Sequence, residues 1–201
     1  MKIKLFLIIS GLLFLCAGYL LFADISDTYL WNDEASTAIL SRNVLKFGCP
    51  LSFDGLNYHY PDWPEFNWKG TYIWKVDPWA QNYLMALFFK LFGINTWSAR
   101  LPFAVSGFLS LLVLFIFCIR YLGSRRIGLF SVLLMATSVP FLLHSRQARY
   151  YGLVIFLTLL IFYLYHRALE KKKGYFWLSL ACFALSVSHH VVFLTVFGGI
   201  W

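Results

Sequence analysis

Asp33 and Glu34 stand side by side in Leu30-Trp31-Asn32-Asp33-Glu34-Ala35, just beyond the first apolar run of the chain. Adjacent carboxylates can do acid–base work: one removes a proton from an acceptor hydroxyl or amine while the other orients that acceptor or holds a metal ion. They also have a routine explanation, because negative side chains are favoured in the first turn of a helix by the macrodipole and the free backbone donors. From the residues alone the two readings stand about level. Further along, Arg146 and Arg149 are three positions apart with Tyr150 beside them. On a helix they share a face, and a guanidinium pair suits a phosphate, which it binds bidentately. The alternative use is snorkelling at a membrane end. Arg100, in Ser98-Ala99-Arg100-Leu101-Pro102, is a third candidate for the same anion. His189 and His190 either hydrogen-bond inside a helical bundle or take a ligand or metal role. The candidate ligands of a divalent metal are Glu34, Asp77 and His189, a single histidine with distant carboxylates, which is a weak metal pattern.

The scaffold for these groups is a membrane one. Sixty per cent hydrophobic residues and 13% charged are too apolar and too sparsely charged for a soluble domain of 201 residues. The net charge of +8 does not make a nucleic-acid binder, because the bases sit in short segments between apolar runs. Cys16, Cys118 and Cys182 lie inside apolar runs and Cys49 is left alone in a loop, so the sequence holds neither a disulfide framework nor a metal-type cysteine cluster.

Hydropathy and charge give an all-α integral membrane protein of about five spans, at residues 5–23, 102–119, 127–143, 151–166 and 175–197. Lys2 and Lys4 hold the amino terminus in the cytoplasm, and the first run is a retained anchor rather than a cleaved signal. The basic loops with Arg120, Arg125 and Arg126, and with Arg167, Lys171, Lys172 and Lys173, are assigned to the cytoplasmic side. Residues 24–101 then form an extracytoplasmic loop that contains every acidic residue except Glu170. Two interfacial helices are expected within it. The first, near 33–47, has Asn32 as N-cap and Gly48 as its stop. The second, near 78–92, has Asp77 as N-cap, Pro78 at its first position and Gly93 as its stop, and at this length it is short for a crossing. Trp31, Trp63, Trp68, Trp74, Trp79 and Trp97 crowd the same loop, either as interfacial anchors or as rings that stack on a sugar.

Three segments in order carry a family resemblance: Asp33-Glu34-Ala35, then Phe88-Phe89-Lys90-Leu91-Phe92-Gly93-Ile94 running into Ser98-Ala99-Arg100-Leu101-Pro102, then Arg146-Gln147-Ala148-Arg149-Tyr150-Tyr151. The set resembles the GT-C membrane glycosyltransferases, nearest to the family 39-like group of protein O-mannosyltransferases and lipid A aminoarabinose transferases. The resemblance implies a polyprenyl-phosphate-linked sugar donor, a lipid, glycan or protein acceptor, and inverting transfer on the outer face of what would be a prokaryotic plasma membrane. Asp33 matches the acidic residue that the family carries in the first external loop, and Glu34 its neighbour; joined to the reading of the residues, this makes Asp33 the expected base and Glu34 its assistant or a metal ligand, with Arg146, Arg149 and Arg100 and the adjacent Tyr150 as the expected donor-phosphate group. Asp77-Pro78 falls where relatives carry a charged or histidine residue before proline, and Ser188-His189 resembles a Thr-His pair of many relatives. The departure is in the second external loop, where some members have an acidic residue and this chain has Arg146-Gln147-Ala148-Arg149. Members of the group are longer, so the chain is expected to be the amino-terminal part of such a protein. The rival expectations are a transporter or flippase subunit that binds a lipid phosphate without reacting, and an inactive fragment of a transferase.

Overall fold

Apolar runs flanked by capping residues become helices, and a computed structural model describes them over residues 3–59, 72–170 and 174–180. In order these are α1 (Ile3–Phe22), α2 (Asn32–Phe47), α3 (Trp79–Phe92), α4 (Thr96–Tyr121), α5 (Arg125–Ala136), α6 (Val139–Arg146) and α7 (Tyr151–Leu169). Residues 174–180 are also helical. The described residues form an all-α bundle in which α1, α4 and α7 are long and apolar enough to cross a membrane. Most of the last expected span, with Ser188, His189 and His190, lies outside the described residues, as do Trp63 and Trp68.

Local chemistry sets the helix ends, and in several places it differs from the sequence expectation. The N-cap position of α2 is Trp31 rather than Asn32, and Gly48 ends the helix in the left-handed conformation at φ 80°. Pro78, not Asp77, is the N-cap residue of α3, and no side chain caps that helix. Instead Asp77 accepts a hydrogen bond from the Trp74 indole at 3.1 Å. The helix expected from Pro102 begins six residues earlier, at Thr96, because Asn95 accepts from the Ser98 N–H at 2.9 Å while the Ser98 hydroxyl lies 3.2 Å from the Asn95 N–H. At 26 residues α4 is about 39 Å long, longer than the roughly 30 Å hydrocarbon core, which leaves a turn or two at an end beyond it.

The segment expected as one crossing over 127–143 is two helices. The break falls at Thr137 and Ser138, Pro140 lies in the first turn of α6, and the two axes differ by 65°. Proline favours the first turn of a new helix over the interior of an old one, since it lacks the N–H an interior position would donate.

α4 is the central element and packs against α1, α3, α5, α6 and α7. One core joins Ala17 and Leu21 of α1 to Leu111, Val132, Ala136 and Phe141. A second, nearer the amino end of α4, joins Met85 and Phe89 to Ala99, Phe103 and Ala148. In lipid the association of helices relies on close packing, for which small residues are suited. A Cβ on Gly107 would meet the Ser145 Cβ at 2.6 Å, and one on Gly152 would meet the Phe103 carbonyl oxygen at 2.7 Å. Gly152→Ala should therefore cost about 1–3 kcal/mol by forcing backbone apart. Gly11→Ala, with nothing within 4 Å of the added carbon, is the control. Thermal melting in detergent checks the pair, and equal melting temperatures would refute the close approach.

Candidate functional site

Asp33 and Glu34 are neighbours in sequence but not in space, because successive residues of a helix point about 100° apart. Glu34 turns inward and is 1% exposed, whereas the Asp33 side chain is 39% exposed. Glu34 Oε2 accepts from the Trp31 N–H at 3.2 Å, half of a capping box; the Trp31 indole has no acceptor to complete it.

What fills the rest of Glu34 is Arg100. Its Nε and Nη2 reach Oε1 and Oε2 at 2.8 and 2.7 Å, a two-pronged pair, and the Ala148 N–H donates to Oε1 at 2.7 Å. Arg100 also donates to the Ile25, Thr28 and Tyr29 carbonyls and the Thr28 hydroxyl, at 2.9 to 3.2 Å. Both side chains are thus saturated. This corrects two expectations: Glu34 has no lone pair left for a metal or an acceptor proton, and Arg100 has no donor left for a phosphate. The pair braces α2, the start of α4 and the α6–α7 junction together.

Arg146 and Arg149 also separate. α6 ends at Arg146 and Gln147 is extended at φ −82°, ψ 143°, so the two do not lie on one helical face. Arg146 donates to the Leu20 and Ala23 carbonyls at 2.9 and 2.6 Å and so serves the carboxyl end of α1. Arg149 turns the other way. Its Nη2 is 3.8 Å from Asp33 Oδ2 and 3.8 Å from Asp77 Oδ1, too far for a hydrogen bond to either. Its side chain is 12% exposed, and its Nε has no hydrogen-bond partner among the described residues. The guanidinium lies 5.4 Å from the Tyr150 ring centroid. Burial first, then the hydrogen bond with Tyr151, pushes the Tyr150 phenol up to about 12, with Asp77 adding to the rise and Arg149 opposing it. Tyr150 therefore stays a neutral O–H donor at neutral pH.

The site is one guanidinium flanked by two carboxylates and a tyrosine, at the end of the bundle where α2, α3, α4, α6 and α7 converge. Arg120 lies in the last turn of α4, and its guanidinium contacts Glu170 beyond the end of α7 at 2.9 Å, as does Arg167. That basic cluster is at the far end of α4 from Arg100. Among the described residues no three His, Cys, Asp or Glu side chains gather as a metal site. Three contributors were not legible in sequence: the Ala148 N–H, Ser36 and His59. Ser36 is one turn after Asp33 and 2.6 Å from His59 Nε2. The i,i+3 spacing of Asp33 and Ser36 was the one available signal, since the segment around His59 has no periodicity.

An integral membrane protein, all-helical over its described residues and with a carboxylate–guanidinium cluster where its helix ends meet, is the class that fold and site define. More particularly, the chain belongs to the dolichyl-phosphate-mannose-protein mannosyltransferase family, whose model matches residues 76–196, and so to the GT-C-like membrane glycosyltransferases. An uncharacterized protein of Aquifex aeolicus (strain VF5) is 28% identical over 106 residues, 52% of this chain and 21% of the relative, so the match spans about a fifth of that relative's length. No solved structure matches the chain.

Proposed function

We propose that the protein transfers a sugar from a polyprenyl-phosphate donor to an acceptor on the extracytoplasmic face, with inversion. The observation that carries this reading is Arg149, a nearly buried cation set 3.8 Å from two carboxylates without a hydrogen bond to either. Such a group has donors to give to an anion that enters between them. In the reaction an acceptor oxygen or nitrogen attacks the anomeric carbon, the bond from that carbon to the phosphate oxygen breaks, and the lipid phosphate leaves with the electron pair. Asp33, the more open of the two carboxylates, takes the acceptor proton. A carboxylate is a weak base, but a leaving group as good as phosphate needs no stronger one. Arg149 meets the charge that develops on the phosphate, with the Tyr150 ring packed beside it. One displacement inverts the anomeric centre. Asp77 holds Arg149 in place.

The charge pattern supports the outer face, because Arg120, Arg125, Arg126 and Arg167 cluster at the opposite end of the bundle, as the positive-inside rule expects of a cytoplasmic end. Residues 151–166 and 175–197 complete the proposed five-span topology with α1, α4 and the bent α5–α6 pair, while α2 and α3 lie at the interface.

Turnover of a labelled polyprenyl-phosphate sugar tests the reading. Arg149→Ala should lower kcat by about 10²–10³-fold, as loss of one preorganised donor does. Arg149→Lys, which keeps the charge and loses the fork, should fall between. Unchanged product formation in Arg149→Ala would remove it from the site.

A further inference from the structure

Behind Asp77 lies a histidine that the transfer chemistry leaves unused. The loop after α2 folds back on itself, with Asp54 accepting from the Leu56 and Asn57 N–H groups. It delivers His59, whose N–H donates to the Ser52 carbonyl at 2.6 Å, while the Ser52 N–H donates to Tyr72 at 2.7 Å. His59 is thereby fixed beside residues 72–78. Its Nε2 is 2.6 Å from the hydroxyl of Ser36, which is 4% exposed on α2. Its ring lies 5.4 Å, centroid to centroid, from Trp74, which is 2% exposed and donates its indole N–H to Asp77 Oδ2. One imidazole thus touches α2 directly and, through Trp74, reaches the carboxylate beside Arg149.

Among the described residues, the elements around this ring carry Glu34, which is paired with Arg100; Arg42 and Lys46, which are held on Asp54; and four further charged groups. Asp77 comes from the segment after the loop and Asp33 from α2, one turn before Ser36. Arg149 comes from the α6–α7 junction and lies between the two carboxylates. Lys75, on the same segment as Asp77, is exposed. Burial holds the imidazole below its ordinary value, and the charge of Asp77 pulls it the other way.

The geometry points to His59 as a positioning residue that sets how firmly Asp77 holds Arg149: neutral, it leaves Asp77 to the guanidinium; protonated, it competes for Asp77 and frees Arg149 for an incoming phosphodiester. This rests on Arg149 being the anion-binding group. If phosphodiester binding favours the protonated imidazole, linkage requires that the ligand bind more tightly as pH falls through the His59 titration, which burial places below the ordinary 6.5. The polyprenyl-phosphate sugar is itself a phosphodiester, so its own charge is fixed over this range and the slope belongs to the protein.

The test uses farnesyl methyl phosphate, a phosphodiester of one fixed charge, bound to the full chain in lipid nanodiscs from about pH 7.5 to about pH 5. The wild type should tighten by about threefold to tenfold towards acid. His59→Gln, whose amide can still meet Ser36, should lose that slope, and so should Asp77→Asn, which removes the group competed for. Arg149→Ala should abolish binding at every pH. A wild-type slope retained in His59→Gln overturns the role of His59 and leaves Arg149 standing, while absence of wild-type binding at any pH overturns both. If melting shows His59→Gln unfolded, the Asp77→Asn arm decides, and a slope retained there sinks the proposal.

Discussion

Replacing Asp33 by asparagine should lower sugar transfer by about 10²–10⁴-fold, the usual worth of a positioned general base. Asparagine has nearly the same shape and cannot accept the proton, so the loss should fall on kcat and not on KM. Folding should be untouched: the Asp33 side chain is 39% exposed and its nearest charged partner among the described residues is 3.8 Å away, so a change within about 0.5 kcal/mol is expected. The variant also separates base from ligand. With one of two competing carboxylates gone from beside Arg149, a phosphodiester should bind at least as tightly as before while turnover collapses. Single-turnover rates with labelled donor check the first part and direct binding the second. Wild-type turnover in Asp33→Asn would strip that residue of its role.

Glu34→Ala should act in the opposite way, on stability before chemistry. Removing this carboxylate leaves the Arg100 guanidinium, whose side chain is 10% exposed, without its counter-charge and strips an acceptor from the Trp31 and Ala148 N–H groups. Breaking a buried pair from one side costs about 3–5 kcal/mol. Glutamine is no gentle replacement. Its oxygen can still accept from Arg100 Nε and Ala148, but its NH2 then faces the Arg100 Nη2 and Trp31 donors. Replacing both Glu34 and Arg100 by methionine should cost less than Glu34→Ala, because no charge is then stranded. Melting of the three variants in detergent is the measurement. If the double replacement proves the worst of them, the pair contributes more than its charges and the assignment fails.

Much of the fold was legible because lipid leaves the backbone few options. Apolar length gave the long helices, and the short basic segments marked one end of the bundle. The boundaries at Gly48 and Gly93 followed from residue type alone. Pro102 misled, because a proline near a helix start is a plausible beginning, and only the Asn95–Ser98 cap shows that the helix has already run for six residues. The break between α5 and α6 was missed for a related reason: Pro140 was seen, but it was read as lying near the outer end of one span and not in the first turn of a new helix. In the site, Asp33 and Arg149 were named from sequence and the structure brings them together. Glu34, Arg100 and Arg146 were named for their charge and turn out to hold the frame. Charge says that a group needs a partner, and only the packing says whether the partner is protein or ligand. Asp77 was named both as a cap, by its position before Pro78, and as a possible supporting residue; it does not cap α3 and lies beside the guanidinium.

The brace around Glu34 also constrains biosynthesis. Its partners lie 66 residues away at Arg100 and 114 residues away at Ala148. At roughly 5–20 residues per second, the ribosome delivers Ala148 about 6–23 s after Glu34 has emerged. Until Arg100 emerges the nascent carboxylate must be kept hydrated near the insertion machinery, and the cluster of Asp33, Asp77 and Arg149 cannot exist until the α6–α7 junction arrives to close it.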